Sequence, residues 1–292
     1  SAWSPRLSAS RYFAALGLSV HAAYDRVFQT PAIENLLLAS SAQIDSVDPI
    51  VLRLPIRPAR ANFYEVGVSK ALFGRLRLDA TIFRRDFRNF SDDDVLLDTG
   101  VSFPIAFSSA RVIGEELRLE VAKAGRISGA LSYTNQSGVG YGPITGGLFL
   151  GQEATGALAD TNEFRISQDQ RNTARASIRL QAQSHIWLAV AGRYGSGLPA
   201  STNNSDPTFL LAQYGPEILS HVDVERSRVR PIFIADLAAG IELYHKGQKS
   251  ASLQMQMTNL ANRVDVINFA SLFSGTAVGV PRSASARLRV TF

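Results

Sequence analysis

The sequence predicts an all-β fold, an antiparallel transmembrane β-barrel portion of about eleven strands with long loops at one end. Three observations predict it. Apolar and polar residues alternate with period two over many separate segments, the connections between those segments are alternately short and long, and the chain closes on a strand whose two faces suit two solvents. In that closing strand, Ser283 to Phe292, the residues Ala284, Ala286, Leu288, Val290 and Phe292 share one face, while Ser283, Ser285, Arg287, Arg289 and Thr291 share the other. Successive side chains of a strand point to opposite sides, so the alternation calls for an apolar medium outside and a wet or protein-filled interior.

The elements follow in chain order. Leu7 to Ala14 opens the series, and Leu18, Val20, Ala22 and Tyr24 then alternate with Ser19, His21 and Asp25. Tyr64, Val66 and Val68 alternate with Glu65, Gly67 and Ser69; a turn at Phe73-Gly74-Arg75 leads into Leu76, Leu78, Ala80 and Ile82 against Arg77, Asp79 and Thr81. After Ile82 the parity breaks at Phe83, Phe87 and Phe90, as a bulge or emergence into the headgroup layer would cause. Leu117, Leu119 and Val121 alternate with Arg118 and Glu120, and Ala124-Gly125-Arg126 turns the chain toward Ile127 to Tyr133. Ala174, Ala176, Ile178, Leu180 and Ala182 alternate with Arg175, Ser177, Arg179 and Gln181 before a turn at Gln183 to His185, and Ile186 to Tyr194 is apolar on both faces. Phe233, Ala235, Leu237, Ala239, Ile241 and Leu243 share a parity, as do Ala251, Leu253, Met255 and Met257, with the polar hairpin turn His245 to Lys249 between them.

One end of these hairpins carries turns of a few residues. The other carries long polar stretches, Thr30 to Asn62, Ser91 to Pro104, Asn135 to Gln170, Ser196 to Arg228 and Asn259 to Gly279. Short turns at one end and long loops at the other are the arrangement of an outer-membrane barrel. Aromatics gather at both levels, Phe73, Trp187 and Tyr244 near the short turns and Tyr24, Phe28, Phe83, Phe87 and Tyr194 near the long loops, as two interfacial girdles would require.

At 292 residues the chain has room for one large domain, yet no stretch approaches the roughly 18 to 20 apolar residues of a spanning helix. The start, Ser1-Ala2-Trp3-Ser4-Pro5-Arg6, lacks the charged and apolar regions of a secretory signal, so the expected N-terminus lies further upstream. Absence of cysteine removes disulfides, thiolate metal sites and cysteine nucleophiles. The net charge of +5 comes from arginines spread singly along strands, which argues against nucleic acid as a partner.

On these residues the chain resembles the C-terminal half of a TonB-dependent outer-membrane receptor. The resemblance is carried by Tyr24-Asp25-Arg26-Val27-Phe28-Gln29-Thr30-Pro31 running on to Leu36, by Asn62-Phe63-Tyr64-Glu65-Val66-Gly67-Val68-Ser69-Lys70, by the Phe73-Gly74-Arg75-Leu76 turn, by Gly195-Ser196-Gly197-Leu198-Pro199, by Asn259-Leu260-Ala261-Asn262-Arg263, and by Gly279-Val280-Pro281-Arg282 entering the last strand. It implies about half of a 22-stranded barrel. It also implies residence in the bacterial cell outer membrane, and a non-catalytic receptor role in energy-dependent uptake of a scarce nutrient such as a ferric siderophore. Residues 1–292 would then be the C-terminal part of the receptor barrel with no plug domain. The implied partners are the lipid bilayer, the missing N-terminal barrel half and plug, the TonB complex acting through the plug, a small-molecule ligand, and the barrel-assembly machinery reading Leu288, Val290 and Phe292 as its signal.

No cofactor, metal centre or catalytic set is expected. His21, His185, His221 and His245 stand one per region at no ligand-like spacing, Asp92-Asp93-Asp94 reads as a solvated acidic loop, and Gly138-Val139-Gly140-Tyr141-Gly142 reads as a mobile loop because no helix follows it. Arg77, Asp79, Arg118, Glu120, Arg175, Arg179, Asp236, Glu242, Arg287 and Arg289 should face the lumen. Two other architectures fit parts of the pattern: a small self-closing porin or adhesin barrel, and a soluble β-sandwich binding module.

Overall fold

In the computed structural model, residues 3–30, 58–95, 102–146, 163–166, 169–200, 206–247, 249–271 and 275–291 are described. The strands are β1 (Arg6–Phe13), β2 (Leu18–Gln29), β3 (Ala59–Leu72), β4 (Leu76–Val95), β5 (Ser102–Ala124), β6 (Ile127–Gly146), β7 (Glu163–Arg165), β8 (Asn172–Gln183), β9 (Ile186–Gly195), β10 (Val222–Asp223), β11 (Arg228–Val229), β12 (Ile232–Lys246), β13 (Lys249–Thr258), β14 (Val266–Ser271), β15 (Gly275–Val278) and β16 (Ser283–Thr291). Among the described residues there is one α-helix, α1 (Pro207–Leu219), between β9 and β10.

Eleven strands form one antiparallel path, β1-β2-β3-β4-β5-β6-β8-β9-β12-β13-β16, with β7 added beside the upper part of β6. The chain is therefore a meander of hairpins, as the alternation of short and long connections predicts. Its short turns use left-handed backbone at Gly17, Phe73, Gly74, Gly125 and Gly247, a conformation glycine adopts without a Cβ penalty. The sheet does not close on itself: β1 and β16 are its two edges. A small self-closing barrel would require Leu7 near Leu288, whereas Leu7 pairs with Tyr24 and Leu288 with Leu253.

The alternation sorts side chains as expected. On one face Val66 pairs with Ile82, Ala80 with Leu117, Leu131 with Ala176, Ala239 with Met255 and Leu253 with Leu288. These apolar rows are uncovered: Ile82 is 61% exposed, Ile178 60%, Met255 58% and Leu288 63%. A continuous exposed apolar face of this extent suits hydrocarbon, and among the described residues no second protein layer covers it as a soluble sandwich would demand. Loop segments fold over the other, polar face, which is accordingly the inner one.

Several expectations are corrected. β4, β5 and β6 contain 20, 23 and 20 residues, beyond the roughly 9 to 11 that a tilted strand needs to cross hydrocarbon. They take up much of the stretches read as the loops Ser91 to Pro104 and Asn135 to Gln170. Asp92, Asp93 and Asp94 are strand residues opposite Ile105, Pro104 and Phe103, and Gly138 to Gly142 belongs to β6 rather than to a mobile loop. The reason is that backbone pairing continues above the membrane, where no lipid imposes an apolar parity and the sequence signal fades.

The aromatic girdles are corrected too. Register across Phe83 and Phe87 is unbroken, so there is no bulge there, and both turn inward. Phe83, Phe107, Val112 and Ile166 form a buried cluster flanked by Phe87, Phe90 and Phe164, with Phe107 and Phe164 ring centres 5.0 Å apart. Trp187, expected at the lower girdle, also lies inside, with the Arg179 guanidinium 4.2 Å from its ring centre and Gly240 leaving the space it occupies. Tyr24 and Tyr64 do pair outward, at 5.2 Å.

The face assignment yields a test. Leu288→Arg places charge against lipid, at about 2 to 4 kcal/mol if at mid-bilayer, whereas Arg287→Leu changes only the inner wall. Outer-membrane accumulation, measured by fractionation and immunoblotting, should fall sharply for the first variant and stay near wild type for the second; equal accumulation would reverse the assignment.

Candidate functional site

The inner wall is built by strand pairing. One row of directly opposed residues runs Ser69, Asp79, Arg118, Ser132, Arg175 and Arg193 across β3, β4, β5, β6, β8 and β9. At its β4 end the charges are matched: the Ser69 hydroxyl and Arg77 Nε, at 3.0 Å, both donate to Asp79, and Arg118 Nη2 lies 3.4 Å from Glu120 Oε2. At the other end two arginines, Arg175 and Arg193, stand directly opposite each other, an arrangement that is unfavourable unless acids intervene. Arg193 has one: its Nη2 donates to Asp265 Oδ2 at 2.7 Å, and Asp265 is buried. Arg175 makes no ion pair with a described residue.

Asp265 arrives from the segment leading into β14. Its carbonyl accepts Gly279 N–H at 2.7 Å, and Gly279 has no Cβ to collide with the carboxylate, which would lie 2.8 Å from one. Beneath this segment is a groove of about 460 Å³ lined by Glu116, Thr134, Arg175, Arg193, Arg230 and Asp265 among others. A second hollow of about 510 Å³ continues it down the wall past Arg118, Arg175 and Asp236. With Arg175 and Arg230 forming no ion pair with a described residue, this surface can receive an anionic group by charge-assisted hydrogen bonds.

Two buried hubs hold the segments above the groove. Asp169 is fully buried; it accepts Gly138 N–H at 2.8 Å, lies 3.3 Å from Arg171 Nε, and receives Arg228, whose Nη1 also donates to the Asp169 and Gly197 carbonyls at 2.9 and 3.2 Å. Asn259 is left-handed and buried, donating to the Arg263 carbonyl at 2.8 Å and accepting Arg263 N–H at 2.9 Å, while its own N–H donates to Asp236 at 2.8 Å. Asparagine tolerates this backbone and closes the turn with its amide, which explains why that residue leads the Asn259 to Arg263 motif. In the Gly195 to Pro199 motif, a Cβ on Gly197 would overlap the Val229 carbonyl, so the chain leaving β9 can pass against β11 only as glycine.

These segments share a small core of Ala200, Leu210, Val222, Val229, Val266 and Phe269, joined by Tyr214, Ile218 and Leu219 from or beside α1. α1 starts at Asp206, whose carboxylate accepts the Thr208 N–H at 2.8 Å and hydroxyl at 2.7 Å. Those bonds hold the Asp206 carboxyl below its ordinary value, so the cap persists at neutral pH and is lost as pH falls through the depressed value. The helix is interrupted at Gly215, followed by Pro216.

The lumen-facing expectations are met by geometry in most cases. Asp236 receives Asn259, Arg179 stacks on Trp187, and Glu242 lies 2.7 Å from His245. Arg287 and Arg289 face Gln254 and Ser252 on the inner side of β16 and form no ion pair with a described residue. Leu288 and Val290 lie on the outer face of that edge strand; Phe292 lies outside the described residues. His21 sits 3.2 Å from Glu65, with Gly67 leaving room for its ring, and no cluster of three metal-ligating side chains occurs among the described residues. Sequence reasoning missed Asp169, Asp265 and α1, and quoted Asn259 in a motif without its buried bonding role. The Asp206-Pro207 pair was a legible helix start, and the two asparagines of Asn259 to Asn262 were a legible turn signal.

Removing Asp169 leaves the partly buried Arg228 guanidinium and the Gly138 N–H without their acceptor, so Asp169→Ala should cost about 1 to 3 kcal/mol of local stability. Limited proteolysis of intact cells should then cleave between residues 196 and 230 far faster than in wild type, with the embedded strands still protected; an unchanged cleavage pattern would refute the hub assignment.

The family model described as TonB dependent receptor-like, beta-barrel, matches residues 1–260. Among solved structures, the chain is similar to the ferric-catecholate import receptor Fiu from K12 E. coli in its closed form, at 19% identity and TM-score 0.61, covering 98% of this chain and 34% of that one. It is similar to the ferripyoverdine receptor of the outer membrane of Pseudomonas aeruginosa, at 13% identity and TM-score 0.60, covering 99% and 33%. The copper transporter OprC gives 12% identity and TM-score 0.61, covering 99% and 39%. The chain thus spans about a third of the length of these structures, and at such identities the likeness is one of fold. No curated protein matches it in sequence.

Proposed function

We propose that this chain, which belongs to the family of TonB-dependent receptor-like β-barrels, is the C-terminal part of the wall and outer mouth of an outer-membrane receptor that takes up a scarce, chelated nutrient such as a ferric siderophore. The observation that carries the reading is the sidedness of the sheet, with uncovered apolar rows outside and a charged, grooved wall inside beneath folded loop segments. In this reading the chain is a non-catalytic receptor wall. The open edges β1 and β16 support a larger barrel whose remaining strands pair with them, since an unpaired strand edge in hydrocarbon leaves backbone groups unsatisfied. In that reading a plug occupies the lumen and a TonB complex acts through it. The solved neighbours named for ferric ligands make ferric chelates the first substrate class to test.

The test is uptake. Cells lacking the gene and grown under iron limitation should fail to accumulate at least one labelled ferric chelate from a panel, and complementation should restore it. Normal uptake of every ferric chelate and of copper, with the protein present in the outer membrane of the parent strain, would overturn the nutrient reading.

The groove adds a finer expectation. Arg175→Glu should weaken binding of an anionic chelate by about tenfold or more, the loss expected of a charge-assisted hydrogen bond, in an equilibrium assay on the purified receptor. Unchanged affinity for the chelate that the receptor transports would place the ligand elsewhere.

A further inference from the structure

Above the lipid-facing rows, the outer surface of β2 to β7 changes character abruptly. The outward positions that continue past Tyr24, Tyr64 and Ile82 include Arg26, Arg60, Arg84, Arg88, Arg111 and Arg165. Their register fixes them on one face: Arg26 stands opposite Asn62, Asn62 opposite Asp86, Asp86 opposite Arg111, Arg111 opposite Val139, and Val139 opposite Arg165. The next row places Phe28 opposite Arg60 and Arg60 opposite Arg88. Asp86, Glu115 and Glu163 are the acids among them, and Asp86 is already engaged by Arg84 at 2.7 Å and Arg111 at 2.9 Å. Arg26, Arg60 and Arg88 form no ion pair with a described residue.

Height and sector make the belt specific. Arg26 and Arg84 stand about nine residues beyond the lower turns at Gly17 and Arg75, which is where a tilted strand leaves hydrocarbon. On the far sector the outward residues near the same level are Ala174 and Tyr194, with no cation among them. Guanidinium groups in two adjacent rows, spaced by strand pairing, with Arg60 6.0 Å from the Phe28 ring centre, match the planar, bidentate recognition of phosphate. We propose that this surface docks the phosphate groups of the phosphorylated glycolipid of the outer leaflet, so that β2 to β7 carry bound lipid while the far sector does not. The inference rests on the membrane placement proposed above.

The test uses the full-length protein, delipidated in a neutral detergent, with native mass spectrometry as the readout. Bisphosphorylated lipid A should bind at least about tenfold more tightly than fully dephosphorylated lipid A, and inorganic phosphate should compete only weakly. Replacing Arg26, Arg60 and Arg88 together by Gln should weaken phosphorylated lipid A binding by about fivefold per residue, the triple Lys variant should fall between the Gln variant and wild type because it keeps the charge and loses the bidentate fork, and Lys70→Gln near the lower turns should have no effect. Equal binding of the two lipids by the wild-type protein overturns the proposal without reference to any variant. So does inorganic phosphate binding as tightly as the lipid, or full lipid binding by a triple Gln variant that assembles normally. Failure of the membrane placement would be seen separately, as absence of the protein from the outer-membrane fraction.

Discussion

Backbone polar groups placed in hydrocarbon have no water to bond, and this constraint organises the whole molecule. A sheet satisfies it only where each strand has a neighbour on both sides, and β2 through β13 on the main path do. The cost of that arrangement is carried by the side chains, which must suit lipid on one face and polar surroundings on the other within a single strand. Pairing errors of one residue would exchange the two faces wholesale. Continuous register from Arg60 opposite Arg88 down to Leu72 opposite Leu76 is therefore a requirement of membrane residence as well as of pairing.

Pairing also staggers the strands. The row containing Lys70 and Leu78 lies close to the lower turn between β3 and β4, but the same row reaches Ala176 and Gly192, well up β8 and β9, and then Ala235, far from the β12–β13 turn. A progressive offset of this kind tilts strands and curves a sheet. It is this curvature that gathers Arg118, Arg175, Arg193 and Asp236, from four strands, around one hollow. The groove is thus a consequence of register, with side chains supplying its charge.

How much of this was legible follows from what each residue answers to. Where lipid dictates the outer face, as at Leu76 to Ile82 or Ala284 to Val290, the period-two pattern marked strand, face and turn. Above the membrane the pattern lost its cause. Phe83 and Phe87 occupy inward positions and bury against Ile166, which no local period can reveal because Ile166 comes from a distant segment. Trp187 was misplaced because proximity to a turn gives level without side, and its parity with Ala189 and Ala191 was the better guide. Asp169 and Arg228 are 59 residues apart, so their pairing exists only in three dimensions.

The outer mouth and the inner wall are joined through a few carboxylates. Asp169 ties β6, the entry to β8, and β11 together, standing close in sequence to Ile166 of one hydrophobic cluster and bonded to Arg228, the neighbour of Val229 in the other. Asp265, by contrast, reaches from the lobe that contains α1 and β14 down to Arg193 on the wall. With Asp265 in place Arg193 is neutralised, and Arg175 and Arg230 are the groove cations that form no ion pair with a described residue. The electrostatic face offered to a ligand is consequently set by the folded lobe as much as by the strands. A buried carboxylate so placed is stable only while its guanidinium partner stays with it. Lobe position and wall charge are therefore two descriptions of one contact.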